Sequence, residues 1–285
     1  MRCTSLLPLL DFGTDFSTYS LLDGAQAPGI WDALRRDEEI EIYPLLGDSD
    51  VTLVGPILVF HKMGPACRTL SSMAEADSSS FYLSILQAHG NKDLLIAHLT
   101  TLTQVSHADG SQWIMRYYDP RVLPHWAGVL NSSQRALALS PIRAWHYMTA
   151  DCSPERITGE GSQQLAFGHF EQICLSEEQS VELLCRCAPL MLMSIISQER
   201  GGDIWCRGEC ERSEFVHQVL ANAKNLGIIE FSDQKTFILL ALAYGENFHE
   251  SAAFLEMWKA ESGGGLNAMI LKMPSQLLSG FGLNK

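Results

Sequence analysis

Basic residues are scarce in this sequence: 20 lysines and arginines stand against 33 aspartates and glutamates, a formal net charge of −13 over 285 residues. Such a field repels phosphate backbones, and no basic patch offsets it. The closest basic pair, Arg35-Arg36, is followed at once by Asp37, Glu38 and Glu39. Nucleic acid is therefore not an expected partner. Long apolar runs are missing too. The longest, Ala188–Ser197 and Phe237–Tyr244, fall well short of the roughly 18–20 residues that span a bilayer. Near the N-terminus, Pro8 and Asp11 interrupt the apolar residues before they reach the length of a secretory leader. These readings lead to a cytoplasmic address without membrane insertion.

Catalytic signatures are equally sparse. There is no Gly-x-Ser-x-Gly elbow, and "ERGGD" and "ESGGGLN" match neither phosphate-cradling pattern. The segment "FHESA" around His249 lacks the second histidine of a His-Glu-x-x-His zinc motif. Eight cysteines and nine histidines invite a metal, but Cys185-x-Cys187 and Cys206-x₃-Cys210 are the only close cysteine pairs. Structural zinc sites use two spaced pairs, and Cys185 and Cys187 fall in an expected helix where they point to different sides. The cysteines read as buried structural thiols rather than as metal ligands or disulfides. No metal, no cofactor and no enzymatic activity are expected.

What the sequence does contain changes character near residue 160. Before it, short apolar runs alternate with turn signals. "TYSLLDGA" reads as a strand ending at Asp23-Gly24, "EIYPLLG" and "VTLVGPILVFH" as further strands, and "PGIWDALRRDEE" as a helix. Ser80–Gln87 and Asp93–Leu102 read as helices, Val105 to Tyr118 as a hairpin about Asp109-Gly110, and Pro141–Met148 as a strand. The polar stretch Asp151–Gly161 reads as a linker. Beyond it come helices: Ser176 and Gln179 form a capping-box pattern, Pro189 should kink or divide the helix that follows, and Gly227 should end another. The expectation is an α+β protein, with a mixed α/β lobe over residues 1–158 and an all-helical lobe over 159–285.

The densest stretch is "IMRYYDPRVLPHW", Ile114 to Trp126. In a strand Gln112–Tyr118, Trp113, Met115 and Tyr117 share one face and Ile114, Arg116 and Tyr118 the other. Asp119-Pro120 suits a helix start with Asp119 as N-cap, although Pro124 would then lie too deep and the turn would have to restart there. Arg116 and Arg121 flank Asp119, so a bidentate ion pair can fix this corner. A structural corner is one reading of Arg116, Tyr117, Tyr118, Asp119, Pro120 and Arg121; a partner-contacting surface is the other.

Taken together, "YSLLDGAQAPGIWDAL", "YPLLGD", "GPILV", the "DG" hairpin and "RYYDPRVLP" resemble the adaptor/chaperone family of bacterial type VI secretion, the Tap or Tec type, long described as a domain of unknown function. The resemblance covers about Thr18 to Met148, and Arg116 to Arg121 is its most specific block. Downstream, "NLGIIEFSDQKTFILLALAYGENFHESAAFLEMWK" is similar to the family's helical tail. Pro124 and the Cys-rich segment Arg200–Arg212 depart from the pattern. The resemblance implies a protein that binds one toxic effector and brings it to the valine-glycine-repeat spike. The helical lobe is then the expected effector-binding part, with Leu190, Met191, Met193, Phe237, Leu240 and Tyr244 as candidate contacts. Those apolar runs serve either a partner or the lobe's own core. A cytosolic scaffold held by zinc at Cys206 and Cys210, or a hydrolase with an unrecognised site, is the alternative.

Overall fold

The computed structural model describes residues 6, 16–27, 30, 34–47, 55–62, 68–76, 81–89, 91–150, 152–161, 172–260 and 265–272. The chain is α+β, with a sheet-rich N-terminal region followed by helices. It divides into two compact units, Met1–Cys187 and Ala188–Lys285.

Unit one is built on β1 (Ser17–Asp23), β2 (Ile40–Pro44), β3 (Pro56–His61), β4 (Leu83–Ala88), β7 (Ile142–Met148) and β8 (Pro154–Thr158), in the order β2-β3-β1-β4-β7-β8. Every neighbouring pair is antiparallel. A second sheet holds β5 (Gln104–His107), β6 (Gln112–Ile114) and β9 (Ile173–Leu175) in the order β6-β5-β9. Between the strands run α1 (Arg68–Ala76), α2 (Lys92–Leu102), α3 (Leu123–Val129) and α4 (Ser132–Leu139). Local chemistry sets their ends: Asn91 accepts from the Asp93 N–H to cap α2, and Asn131 with Gln134 forms a capping box on α4.

Pairing register puts Tyr19, Leu86 and Trp145 on one face of the large sheet. This face packs with Leu95, Leu99, Tyr117, Leu123 and Trp126 into one apolar core. The opposite face carries Thr18, Ser20, His61, Gln87 and His146, all buried. Ser20 Oγ lies 2.7 Å from His61 Nε2, and His146 Nε2 lies 3.3 Å from Gln87 Oε1. Burial holds both imidazoles near pKa 4, far below the ordinary histidine value, so both are neutral.

Several expectations are corrected here. Of the helix expected over Ser80–Gln87, the described part is no helix: Leu83–Ala88 is strand β4, buried throughout between β1 and β7. A short run buried on both faces has no strand alternation to betray it. The supposed linker Asp151–Gly161 contains β8, which pairs with β7 from Ala144↔Thr158 to Met148↔Pro154. The boundary between compact units falls instead inside α5 (Glu177–Arg200), which runs unbroken through Pro189. That helix also meets the length and hydropathy of a membrane span, with a mean hydropathy of 1.5 over an 18-residue window that is 28% buried. No single apolar run signals this, because the charged Glu182 and Arg186 interrupt its apolar residues ahead of Ala188. The helix expected over "PGIWDALRR" lies mostly outside the described residues.

Unit two contains the end of α5, then α6 (Glu209–Asn225), α7 (Phe231–Tyr244), α8 (Ala252–Ala260) and α9 (Gly265–Lys272). As the sequence implies, Ser176 and Gln179 cap α5 reciprocally, and α6 ends at Gly227 with φ +76° while the Ile228 N–H donates to the Ala223 carbonyl. Asp233, buried near the start of α7, accepts from the Leu266 and Asn267 N–H groups and so caps α9. Trp205, in the short 3₁₀ turn Gly202–Trp205 of the Cys-rich segment, is buried and donates from Nε1 to Ser197 Oγ.

Candidate functional site

The motif Arg116 to Arg121 lies in the turn between β6 and α3, not in a strand, since β6 ends at Ile114. Nor does Asp119 cap the helix. The N-cap of α3 is Val122, which makes no side-chain capping bond, and Pro124 falls in the first turn, where a missing N–H costs nothing. The helix restarts after the motif because Pro124 fits only there.

Freed from capping, the Asp119 carboxylate binds Arg121 twice. Arg121 Nε donates to Oδ1 at 3.0 Å and Nη2 to Oδ2 at 2.9 Å, and the Arg121 backbone N–H reaches Oδ1 at 3.0 Å. The expected bidentate pair is thus Arg121–Asp119. Arg116 serves another residue. Its Nη2 sits 2.5 Å from Oδ2 of Asp23, at the end of β1, and 3.6 Å from Oδ2 of Asp119. The result is an alternating row of charge, Asp23–Arg116–Asp119–Arg121, that pins the motif to the central strand of the large sheet. Burial raises the Asp23 carboxyl above its ordinary value; Arg116 opposes this and the like charge of Asp119 adds to it.

The aromatic members fasten the same corner from beneath. Tyr117 is fully buried and its hydroxyl donates to the Leu99 carbonyl at 2.6 Å. Its ring lies 5.7 Å from those of Trp126 and Trp145. Arg121 lies 5.9 Å from the ring of Phe81, a buried residue at φ +48°, a backbone region that a phenylalanine rarely enters. Tyr118, Asp119 and Pro120 are buried. Arg116 alone in the block has close to half of its side chain, 45%, exposed. Sequence reasoning missed Asp23. Its one signal is an aspartate closing an apolar strand, where it also accepts from the Ala25 N–H.

The candidate effector contacts divide differently from expectation. Phe237, Leu240 and Met193 are buried in the core of unit two, with Leu190 and Tyr244 packed against it. A helix apolar on all sides is the central helix of its bundle. Leu240 does line a groove of about 310 Å³ with Arg200, Thr236, Asn267 and Ile270. Of the six candidates, Met191 is the exposed one, at 42%. Among the described residues, Val181, Leu184, Ile229 and Leu271 are exposed apolar residues that the sequence did not single out, and Ile114, first residue of the densest stretch, is exposed as well.

The cysteines are not buried thiols as a class. Cys174, Cys185 and Cys206 are exposed, and partly buried Cys187 has a thiol pushed up to about 11 by burial. Cys152 and Cys210 are disulfide-bonded. Among the described residues no three metal-ligating side chains come together.

A family model described as "Domain of unknown function (DUF4123)" matches residues 18–137, from β1 into α4. Both Asp23 and the Arg116–Arg121 block fall inside the match. No curated protein and no solved structure matches the chain.

Proposed function

We propose that the chain is a non-catalytic adaptor/chaperone that binds one cognate type VI secretion effector and brings it to the valine-glycine-repeat spike. One observation carries the reading. The family matched over residues 18–137 is generally linked to effector adaptors of that system, and the match covers the segment whose residues resemble them. The charge row supports it: the most specific block of the segment is used to lock a turn onto a strand, which suits a scaffold presenting surfaces. His61 and His146, whose titration burial lowers to near 4, lie inside the sheet. The zinc-scaffold alternative loses its ligand pair, because Cys210 is disulfide-bonded while Cys206 is a free thiol.

Deletion of the chain from its own cell should stop delivery of one effector and leave the others unaffected. The tagged chain should co-purify with that same effector and with the spike. Undiminished delivery of every effector in the deletion strain would overturn the proposal.

A further inference from the structure

We propose that the open edge of β6, from Gln112 to Arg116, is a docking strand for an extended segment of a partner protein, one that sets an apolar side chain against Ile114 and a carboxylate against Arg116. This deepens the adaptor reading and rests on it only for the partner's identity. Among the described residues, strand β6 is an edge of its sheet, with β5 on one side. The register pairs Val105 with Trp113, and the flanking bonds run from the Met115 N–H to the Thr103 carbonyl and from the His107 N–H to the Ser111 carbonyl. In an antiparallel ladder bonded pairs alternate with non-bonded ones. Gln112 and Ile114 therefore turn their N–H and C=O groups away from β5, toward the open side. Four backbone groups there are ready to pair with an added strand.

The side chains beside this edge state what the added strand should carry. Gln112, Ile114 and Arg116 alternate on the exposed face, while Met115 and Tyr117 point into the core. Ile114 is 70% exposed, which is unusual for an isoleucine in a strand. Arg116 is held in place by Asp23, with Asp119 and Tyr118 beside it, so its guanidinium is pre-positioned. Its contacts to both carboxylates run through Nη2, and the exposed part keeps donors for an incoming oxygen. A chain of net charge −13 repels an acidic run and also a second copy of itself. A single carboxylate among apolar and neutral residues fits.

The full-length chain, ¹⁵N-labelled, should be titrated with the peptide acetyl-Thr-Val-Val-Asp-Val-Thr-amide and with its counterpart bearing lysine for aspartate. The first should shift the amide signals of Gln112, Ile114 and Arg116 at millimolar concentration, and the lysine peptide should bind roughly fivefold or more weakly. Gln112→Pro removes one outward N–H without touching the Asp23–Arg116 pair, and Ile114→Asp changes an exposed side chain. Each should weaken the aspartate peptide by a similar factor while the rest of the spectrum is kept. Equal binding of the two peptides, no shifts at these residues, indifference to both variants, or concentration-dependent pairing of β6 with a second copy would overturn the proposal. Docking of the peptide by a chain that captures no effector would sink the adaptor reading and leave this one standing.

Discussion

In the sheet unit, ionisable groups lie inside the core: Asp23, His61, His98, His146, Asp119 and Tyr117 are all buried. In the helical unit, Phe237, Phe248, Phe254, Val216 and Ile238 meet in an apolar cluster, and Ser213 and Asp233 are its buried polar residues among those described. The first arrangement depends on matched partners, each costly to lose. The second depends on apolar area, which is forgiving of detail. The difference predicts where substitution and acid should strike.

Tyr117 joins both kinds of stabilisation, so it gives the largest effect. Tyr117→Ala removes a fully buried ring and should cost about 3–5 kcal/mol, whereas Tyr117→Phe keeps the ring, drops the bond to the Leu99 carbonyl and should cost about 1 kcal/mol. Denaturant unfolding of both variants separates the two contributions. Equal losses would mean that the hydrogen bond dominates and that packing is as secondary here as polar pairing is in the helical unit.

Asp119→Ala comes next. It leaves Arg121, whose side chain is 16% exposed, without its bidentate partner, and removes one of two carboxylates near Arg116. A loss of about 2–4 kcal/mol is expected, close to that for breaking a buried pair. Asp119→Asn keeps hydrogen-bond acceptance through one oxygen and should recover part of it. If Asp119→Ala unfolds no more easily than the parent, the charge row does not hold the corner.

Acid should separate the units. His61 and His146 have folded-state pKa values near 4 against an ordinary value near 6.5, so the neutral form is the folded one. Their contribution is intact above pH 6.5 and is lost as pH falls toward 4, at about 2–3 kcal/mol for each histidine. Asp23 acts in the opposite sense: its raised pKa means that its contribution is greatest at low pH and declines as it ionises. The histidines start lower in stability first, because they begin to protonate in the unfolded chain above the carboxylate range. Hydrogen exchange at pH 7 and pH 4.5 should show β1, β3, β4 and β7 losing protection while α6 and α7 change little. Uniform loss across both units would break the comparison.

How much of this was legible in the sequence depends on range. Strands β1, β2, β3 and β7 announced themselves through β-branched and aromatic residues bounded by turn signals, and the Ser176–Gln179 capping box through its spacing. Leu83–Ala88 did not, since burial on both faces erases alternation. Within the motif, Arg121 and Asp119 are two residues apart and their pairing could be argued locally. Arg116 and Asp23 are 93 residues apart, and no single sequence states which aspartate an arginine will meet. Phe237 and Leu240 were ambiguous for a related reason: apolarity on every side describes a central helix and a sticky surface equally well. Only packing distinguishes them.

The smallest effect on stability decides the most about function. Met191 and Ile114 are exposed apolar residues, one on α5 in the helical unit and the other on the edge strand of the sheet unit. Each changed to aspartate should shift unfolding by no more than about 0.5 kcal/mol, because neither side chain is packed away from water. Loss of effector capture in such a variant therefore reports contact, not folding, and at an interface centre it should amount to roughly tenfold or more. If Met191→Asp abolishes capture and Ile114→Asp spares it, the helical unit meets the effector, and the β6 edge is left for another partner such as the spike. The reverse result gives the effector to the sheet unit and reduces the helices to a folded support. Capture unchanged in both would remove both surfaces from the effector interface and point to Val181 and Leu184, the other exposed apolar positions on α5.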